Sequence, residues 1–172
     1  MSKYFLDVVF NRKSIRNFKP GTQVPGIVVD SVLKAALAAP SGYDKRSVSF
    51  VVITDANLLK TLLEPAAKET SQPTLYNAAL GIVLCADAEY AKGWQFDCTA
   101  ASQNMLLTVE NFDYDAAWID IFPHDDRIQL AKDKLNLPNG IEPFNIILIG
   151  LAAEDEPPKD KYDKTKIHLN GW

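Results

Sequence analysis

Near its amino terminus the chain reads Arg12-Lys13-Ser14-Ile15-Arg16-Asn17-Phe18, and this stretch contributes most to the fold assignment. It places three cations and a hydroxyl group within five residues. In an extended segment Arg12, Ser14 and Arg16 would share one face, because side chains alternate with a period of two. Such a set of donors suits a phosphate or another compact anion. A solvated turn is the alternative interpretation of these seven residues taken alone.

Length and composition fit one globular domain. The chain has 172 residues, of which 47% are hydrophobic, enough to form a core. Its 18 basic and 22 acidic residues give a net charge of −4, whereas general nucleic-acid binding needs a broad basic surface. No run approaches the roughly 18 apolar residues that span a bilayer, and the first residues lack the apolar core of a secretion signal. We therefore expect a cytoplasmic protein with no nucleic-acid or membrane partner.

The cysteines and histidines indicate neither a disulfide nor a metal centre. Cys85 and Cys98 lie inside apolar runs without a paired motif, which favours reduced core thiols. His124 and His168 are far apart and not at metal-ligand spacing, so we expect no metal site.

Hydrophobic periodicity predicts helices alternating with strands in a single domain over residues 1–172. Helices are predicted over residues 3–10 with a Ser2 cap, 25–39, 56–68, 93–111 and 126–135, and strands over 48–54, 79–86, 115–121 and 144–151. The clearest helix carries apolar residues at spacings of three and four, namely Trp94, Cys98, Ala101, Met105 and Val109. On pattern alone this alternation would suggest a doubly wound parallel sheet, although periodicity does not report strand direction.

A second motif follows at the end of the predicted helix over residues 25–39. The chain reads Ala38-Ala39-Pro40-Ser41-Gly42 and then enters a strand with Phe50-Val51-Val52. Together with the upstream R-x-S-x-R-x-F segment, this order resembles the FMN-dependent nitroreductase family. The likeness continues through Trp94 to Leu107, with its Ala-x-Gln-Asn-Met-Leu-Leu core, Asp113 to Trp118, Pro143 to Gly150, and Lys159-Asp160-Lys161.

The resemblance implies an α+β fold instead of a parallel sheet. In that family a mainly antiparallel central sheet lies between helices, and two subunits form an intertwined homodimer with FMN at the interface. A C-terminal extension over about residues 153–172 would then pack on the partner subunit through Ile167, Leu169 and Trp172. Docking of this tail on its own subunit is the alternative.

The resemblance also implies roles for individual residues, all of them in binding, because the chemistry takes place on the flavin. The residues implied for the FMN phosphate are Arg12, Ser14, Lys159 and Lys161, and those implied for the ring and ribityl region are Lys13, Arg16, Pro40, Ser41 and Gly42. Asp113 occupies the position whose main-chain N–H points at flavin N5 in the family. Any residue can supply an amide, so the loss of the usual glycine is tolerable if the backbone conformation permits it.

The segment after Pro40-Ser41 departs from the family, which usually has x-x-Asn-x-Gln-Pro-Trp where this chain has residues 42–48. Asp44 replaces the amide, and an ionised carboxylate only accepts hydrogen bonds. It could hold flavin N3–H but would oppose an anionic reduced flavin. Arg46 could offset this by adding positive charge near the pyrimidine edge. Our hypothesis is that Asp44 and Arg46 form a coupled pair that tunes the flavin, and a surface ion pair is the alternative.

These likenesses predict an FMN-dependent oxidoreductase. NADH or NADPH would reduce the flavin, which would pass electrons to a nitroaromatic, quinone or similar small-molecule acceptor. One alternative is a non-catalytic descendant that binds flavin or another anion for storage, sensing or delivery, and another is a structural dimer without cofactor. No G-x-G-x-x-G or Walker loop supports a dinucleotide fold or a nucleotide hydrolase.

Overall fold

In the computed structural model, which describes residues 4–172, helices and strands follow the predicted order. The helices are α1 (Phe5–Asn11), α2 (Gly26–Leu37), α3 (Ala56–Thr70), α4 (Trp94–Asn111) and α5 (Asp125–Leu135). The strands are β1 (Val48–Ile53), β2 (Leu80–Asp87), β3 (Asp115–Asp120) and β4 (Ile141–Gly150). The start predicted for the first helix at residue 3 and its Ser2 cap lie outside the described residues.

The four strands form one sheet in the order β1-β2-β4-β3, and each neighbouring pair is antiparallel. The α+β fold implied by the family resemblance is therefore confirmed. The parallel sheet suggested by pattern alone is wrong, because buried strands show the same hydrophobic run whichever way they point. None of the helices within residues 4–172 is both long enough and apolar enough to cross a membrane.

Helices cover both faces of the sheet. On one face α3 and α5 bury a core that includes Leu63, Val83 and Ile146. On the other face α2 and α4 bury a second core that includes Val32 and Met105. The predicted apolar stripe of α4 is buried along its whole length, which confirms the interpretation of this helix.

The cationic segment is attached to the free edge of β3. Ser14 bridges Ala116 in parallel, and the Ile15 N–H donates to the Ala116 carbonyl at 2.9 Å. Ile15 is buried, whereas Ser14 and Arg16 on either side of it are exposed, so the predicted alternation holds across these three residues. Buried apolar residues thus fix the backbone that carries the cations.

Candidate functional site

The cationic segment meets the start of the C-terminal extension. The Ala153 N–H donates to the Asn17 carbonyl at 2.9 Å, and Lys13 Nζ lies 3.3 Å from Asp155 Oδ1. The cationic segment and the start of the C-terminal extension therefore meet at this edge of the sheet. Lys159 and Lys161 are exposed and follow within five residues of residue 156, a span of at most about 18 Å. Their contact with a phosphate stays a prediction, as does that of Arg12, which is half-buried.

The Lys13 side chain has hydrogen-bond partners within the subunit. Its ammonium pairs with Asp155 and also donates to the Glu156 carbonyl. The contact ties the tail to the amino-terminal segment. The role predicted for Lys13 at the flavin ring would require it to share or exchange these partners.

A small cavity of about 170 Å³ opens beside Arg16. Its lining includes Gln72, Asp120 and Arg127, three residues that the sequence did not single out. The Oε1 atom of Gln72 is buried and accepts no hydrogen bond from the described residues. Arg16 and Gln72 therefore line the same space, and the Gln72 Oε1 atom lies buried behind that wall.

Arg127 holds the wall of this cavity in place. Its Nη1 donates to the Asp120 carbonyl at 2.8 Å, and its Nη2 pairs with the Glu69 carboxylate. Only 10% of the Arg127 side chain is exposed. Because Glu69 belongs to α3, Asp120 to β3 and Arg127 to α5, one guanidinium joins three elements. No periodicity marks such a residue, since its partners are distant in sequence.

A second, larger cavity of about 800 Å³ lies beside the loop that follows α2. The predicted ring-binding residues Pro40, Ser41 and Gly42 line it. Three aromatic side chains complete its wall, those of Tyr43, Tyr90 and Phe96. The cavity is thus wide and largely apolar, which suits a flat ligand.

Asp44 and Arg46 are paired in this loop. Arg46 Nε and Nη2 donate to the two carboxylate oxygens of Asp44 at 2.8 and 2.9 Å. The guanidinium holds the pKa of the Asp44 carboxyl below its usual value through these hydrogen bonds. Both side chains are about three-quarters exposed, at 74% and 76%. The ion pair is present, and its effect on a flavin stays a prediction.

Asp113 lies at the far end of α4 from this loop. Its φ of 60° is left-handed, the conformation that favours glycine. Its N–H donates to the Glu110 carbonyl at 3.1 Å within the turn. A role as donor to flavin N5 would have to share that hydrogen bond, and it stays a prediction.

The cationic segment and the loop after α2 lie at opposite corners of the sheet. Pairing across β3 and β4 places Ser14 in register with Leu80, at the start of β2. Val48, which follows the loop, pairs with Ala86 near the end of β2. These two register positions are about 20 Å apart along the strands. Across the sheet, the four spacings from the Ser14 segment through β3, β4 and β2 to β1 add about 19 Å. The predicted site residues therefore form two separate groups within one subunit.

The cysteines take no part in either group. Cys85 and Cys98 are free and buried, and burial raises the pKa of each thiol to about 12. In the part of the chain that the structure describes, no three His, Cys, Asp or Glu side chains gather to hold a metal ion.

Comparison with known proteins identifies relatives of this chain. A model of the nitroreductase family matches residues 9–73, which include the cationic segment and the loop after α2. A curated relative from Methanothermobacter thermautotrophicus, provisionally named NADH dehydrogenase/NAD(P)H nitroreductase, is 30% identical over 97% of this chain and 87% of its own length. The chain belongs to the nitroreductase family.

Solved structures of the nitroreductase family share the whole fold. A provisionally named NADH dehydrogenase/NAD(P)H nitroreductase from Bacteroides thetaiotaomicron is 36% identical, with a TM-score of 0.91 and complete coverage of both chains. An FMN-dependent nitroreductase from Clostridium difficile is 28% identical, with a TM-score of 0.89, over 97% of this chain and 99% of that one.

Proposed function

We propose that this nitroreductase-family chain is an FMN-dependent oxidoreductase that takes electrons from NADH or NADPH and delivers them to a nitroaromatic, quinone or similar flat acceptor. The observation that carries the proposal is the cavity beside Arg16, which this cation and the amide residue Gln72 line together. The pyrimidine edge of a flavin alternates carbonyl acceptors with an N–H donor, so these two groups fit it. The names of the relatives support the same cofactor and reductant.

The chain's own residues would bind and orient the cofactor. Exposed Ser14 and half-buried Arg12 would hold the phosphate, with Lys159 and Lys161 joining them from the extension. Pro40, Ser41 and Gly42 would line the ring, with backbone and small side chains that allow close approach. Bound FMN would supply the hydride and electron transfer. The largely apolar wall of the larger cavity would limit water around the acceptor.

We further propose that a complete site needs two copies of the chain. The two groups of predicted residues lie at opposite corners of one sheet, so the cationic segment of one subunit would meet the loop after α2 of the other. Exposed apolar side chains support a subunit interface, because large patches of this kind mark association sites. They include Phe5, Leu6 and Phe10 on α1 and Ile167, Leu169 and Trp172 in the extension.

The extension over about residues 153–172 would pack on the partner in this homodimer. All of its side chains beyond Ala153 are exposed on the single subunit, although several are large and apolar. Removal of residues 162–172 should therefore weaken the dimer, and sedimentation velocity over a concentration series would measure this. An unchanged dimer would favour docking of the tail on its own subunit.

The experiment that tests the function is a cofactor and turnover assay on the purified full chain. We expect a yellow protein that binds FMN in a fluorescence titration and oxidises NADH or NADPH in the presence of menadione or nitrofurazone. Bound FMN without turnover of any acceptor would instead indicate the non-catalytic descendant. Absence of FMN binding would favour a structural dimer.

A matched pair of variants links the activity to the cavity. Arg16→Ala removes a charge-assisted hydrogen bond worth about 1.5–3 kcal/mol, so the Kd for FMN should rise roughly 10- to 150-fold. Lys19→Ala removes an exposed cation three residues away that lines neither cavity, and should leave the Kd unchanged. An equal rise of the Kd in both variants would indicate that Arg16 acts only through its charge and makes no direct contact with FMN.

A further inference from the structure

The carboxylate of Asp97 is buried beneath the loop after α2. Only 6% of the residue is exposed, and it lies in the first turn of α4. Its Oδ1 accepts the Gly42 N–H at 2.9 Å, and its Oδ2 accepts the Ser47 hydroxyl at 3.4 Å. Among residues 4–172 no cation forms an ion pair with it. A buried carboxylate is costly unless it is hydrogen-bonded, and the positive end of the α4 dipole favours it here.

The segment that Asp97 bridges has an unusual backbone. Tyr43, Asp44 and Arg46 have φ values of 54°, 54° and 50°, all left-handed and none of them glycine. Each such residue is unfavourable, and a run of them persists only where neighbouring groups hold it. Other contacts also hold this run: Ser41 Oγ accepts the Arg46 N–H at 3.1 Å, Asp44 pairs with Arg46, and Lys45 Nζ donates to the Tyr90 carbonyl. The Ser47 carbonyl accepts the Asp87 N–H at 3.1 Å. Asp97 is distinguished by bridging both ends of the segment with one carboxylate, at Gly42 and at Ser47.

We infer that Asp97 is a positioning residue of this loop, because its carboxylate holds Gly42 at one end and Ser47 at the other. The two bonds fix the loop to α4 and so set the position of the Ser41–Tyr43 backbone on the wall of the 800 Å³ cavity. Asp97 acts through the loop and not on a substrate. The inference rests on the proposed function insofar as this loop forms the ring-binding group of the site.

The variants separate loop positioning from general stability. Asp97→Ala removes both acceptors, whereas Asp97→Asn keeps one oxygen for Gly42 and loses the charge. Asp55→Ala is the matched control, because the Asp55 carboxylate also accepts a main-chain N–H, that of Leu58 at 2.8 Å, at the start of α3. The control should lower the melting temperature without affecting the loop.

The first readout needs no cofactor. Trypsin can cleave after Lys45 and Arg46, so the rate of cleavage at these two bonds reports how firmly the loop is held. Asp97→Ala should raise this rate about tenfold, as expected when a stabilising hydrogen bond is lost from a local opening reaction, with Asp97→Asn between it and the wild type. Faster hydrogen exchange of the Gly42 amide should accompany it. Unchanged cleavage and exchange in a folded Asp97→Ala protein would overturn the inference.

If Asp97→Ala does not fold, Asp97→Asn and Ser47→Ala still decide the question, because each leaves Gly42 an acceptor. Each should raise cleavage after Lys45 and Arg46 above the rate in Asp55→Ala, and rates equal to that control would overturn the inference.

The second readout uses the FMN-loaded enzyme. Asp97→Ala should raise the KM for the acceptor, and shift the flavin reduction potential, more than Asp55→Ala does. Equal values in the two variants would overturn the link to the site while leaving the loop result intact. If the wild type binds no FMN, the proposed function fails, and proteolysis and exchange alone decide whether Asp97 holds the loop.

Discussion

Substitution of Gly150 by alanine should displace the cationic segment, because the added Cβ atom would press on a buried side chain of that segment. Gly150 ends β4, and a Cβ atom there would lie 2.7 Å from Phe18 Cδ1 and 3.4 Å from Phe18 Cε1. Phe18 is fully buried and closes the segment that begins at Arg12. Since ordinary carbon contacts are about 3.5–4.0 Å, the ring must retreat by roughly 1 Å.

The structure sets the size of this effect. The Phe18 ring belongs to the core that α3 and α5 cover, so it has no solvent-exposed space into which it can move. Overpacking of a dense core costs about 1–3 kcal/mol. For a domain of this size each kcal/mol lowers the melting temperature by about 2–4 °C, so Gly150→Ala should lower it by roughly 2–12 °C.

Calorimetry on four variants tests the reasoning: Gly150→Ala, Phe18→Leu, the two combined, and Gly26→Ala. Gly26→Ala is the control, because a Cβ atom at the first position of α2 meets nothing within 4 Å, and it should be neutral or slightly stabilising. The double variant Gly150→Ala/Phe18→Leu should be more stable than the sum of its single variants predicts, by about 0.5–3 kcal/mol, because the smaller side chain makes room for the methyl group. Strict additivity, or a fully stable Gly150→Ala protein, would refute the argument.

Three further predictions concern charge and burial. Burial raises the pKa of the Cys85 and Cys98 thiols from 9.0 to about 12, so the stability they contribute is present below pH 9 and lost as the pH rises towards 12. In urea unfolding, the wild type should therefore lose more stability between pH 8 and pH 10.5 than a Cys85→Ala/Cys98→Ala variant does. The same pH dependence in both proteins would contradict this prediction. Arg46→Gln should leave the melting temperature unchanged, because the ion pair of Arg46 with Asp44 is exposed. It should nevertheless lower the flavin reduction potential or weaken FMN binding. An unchanged potential and affinity would disprove the hypothesis that Asp44 and Arg46 tune the flavin together. Arg127→Met should destabilise the fold by about 1–3 kcal/mol in chemical denaturation, because a carbonyl at the end of β3 loses its donor, and a wild-type midpoint would argue against that.

Much of the fold follows from local patterns in the chain. The apolar stripe of α4 repeats at helical spacing, and it is buried as predicted because a helix must turn one face to the core. Ile15 and Phe18 anchor the cationic segment by burial, which the structure shows and the alternation does not predict for Phe18. The order of motifs was enough to indicate the family. Strand direction was not available in this way, because a buried antiparallel strand and a buried parallel one carry the same hydrophobic run.

In the candidate site, too, some residues could be predicted from the sequence and others only from the structure. The sequence singled out Arg16 and the loop from Pro40 to Arg46, because cations, small residues and departures from a family pattern are visible one residue at a time. Asp97, Gln72 and Arg127 became visible only in three dimensions. Their importance comes from partners that folding brings together, such as Gly42 and Ser47 around Asp97, 55 and 50 residues away in the chain. The separation of the two groups of site residues also required the sheet register, because the pairing of strands decides which corner each segment occupies.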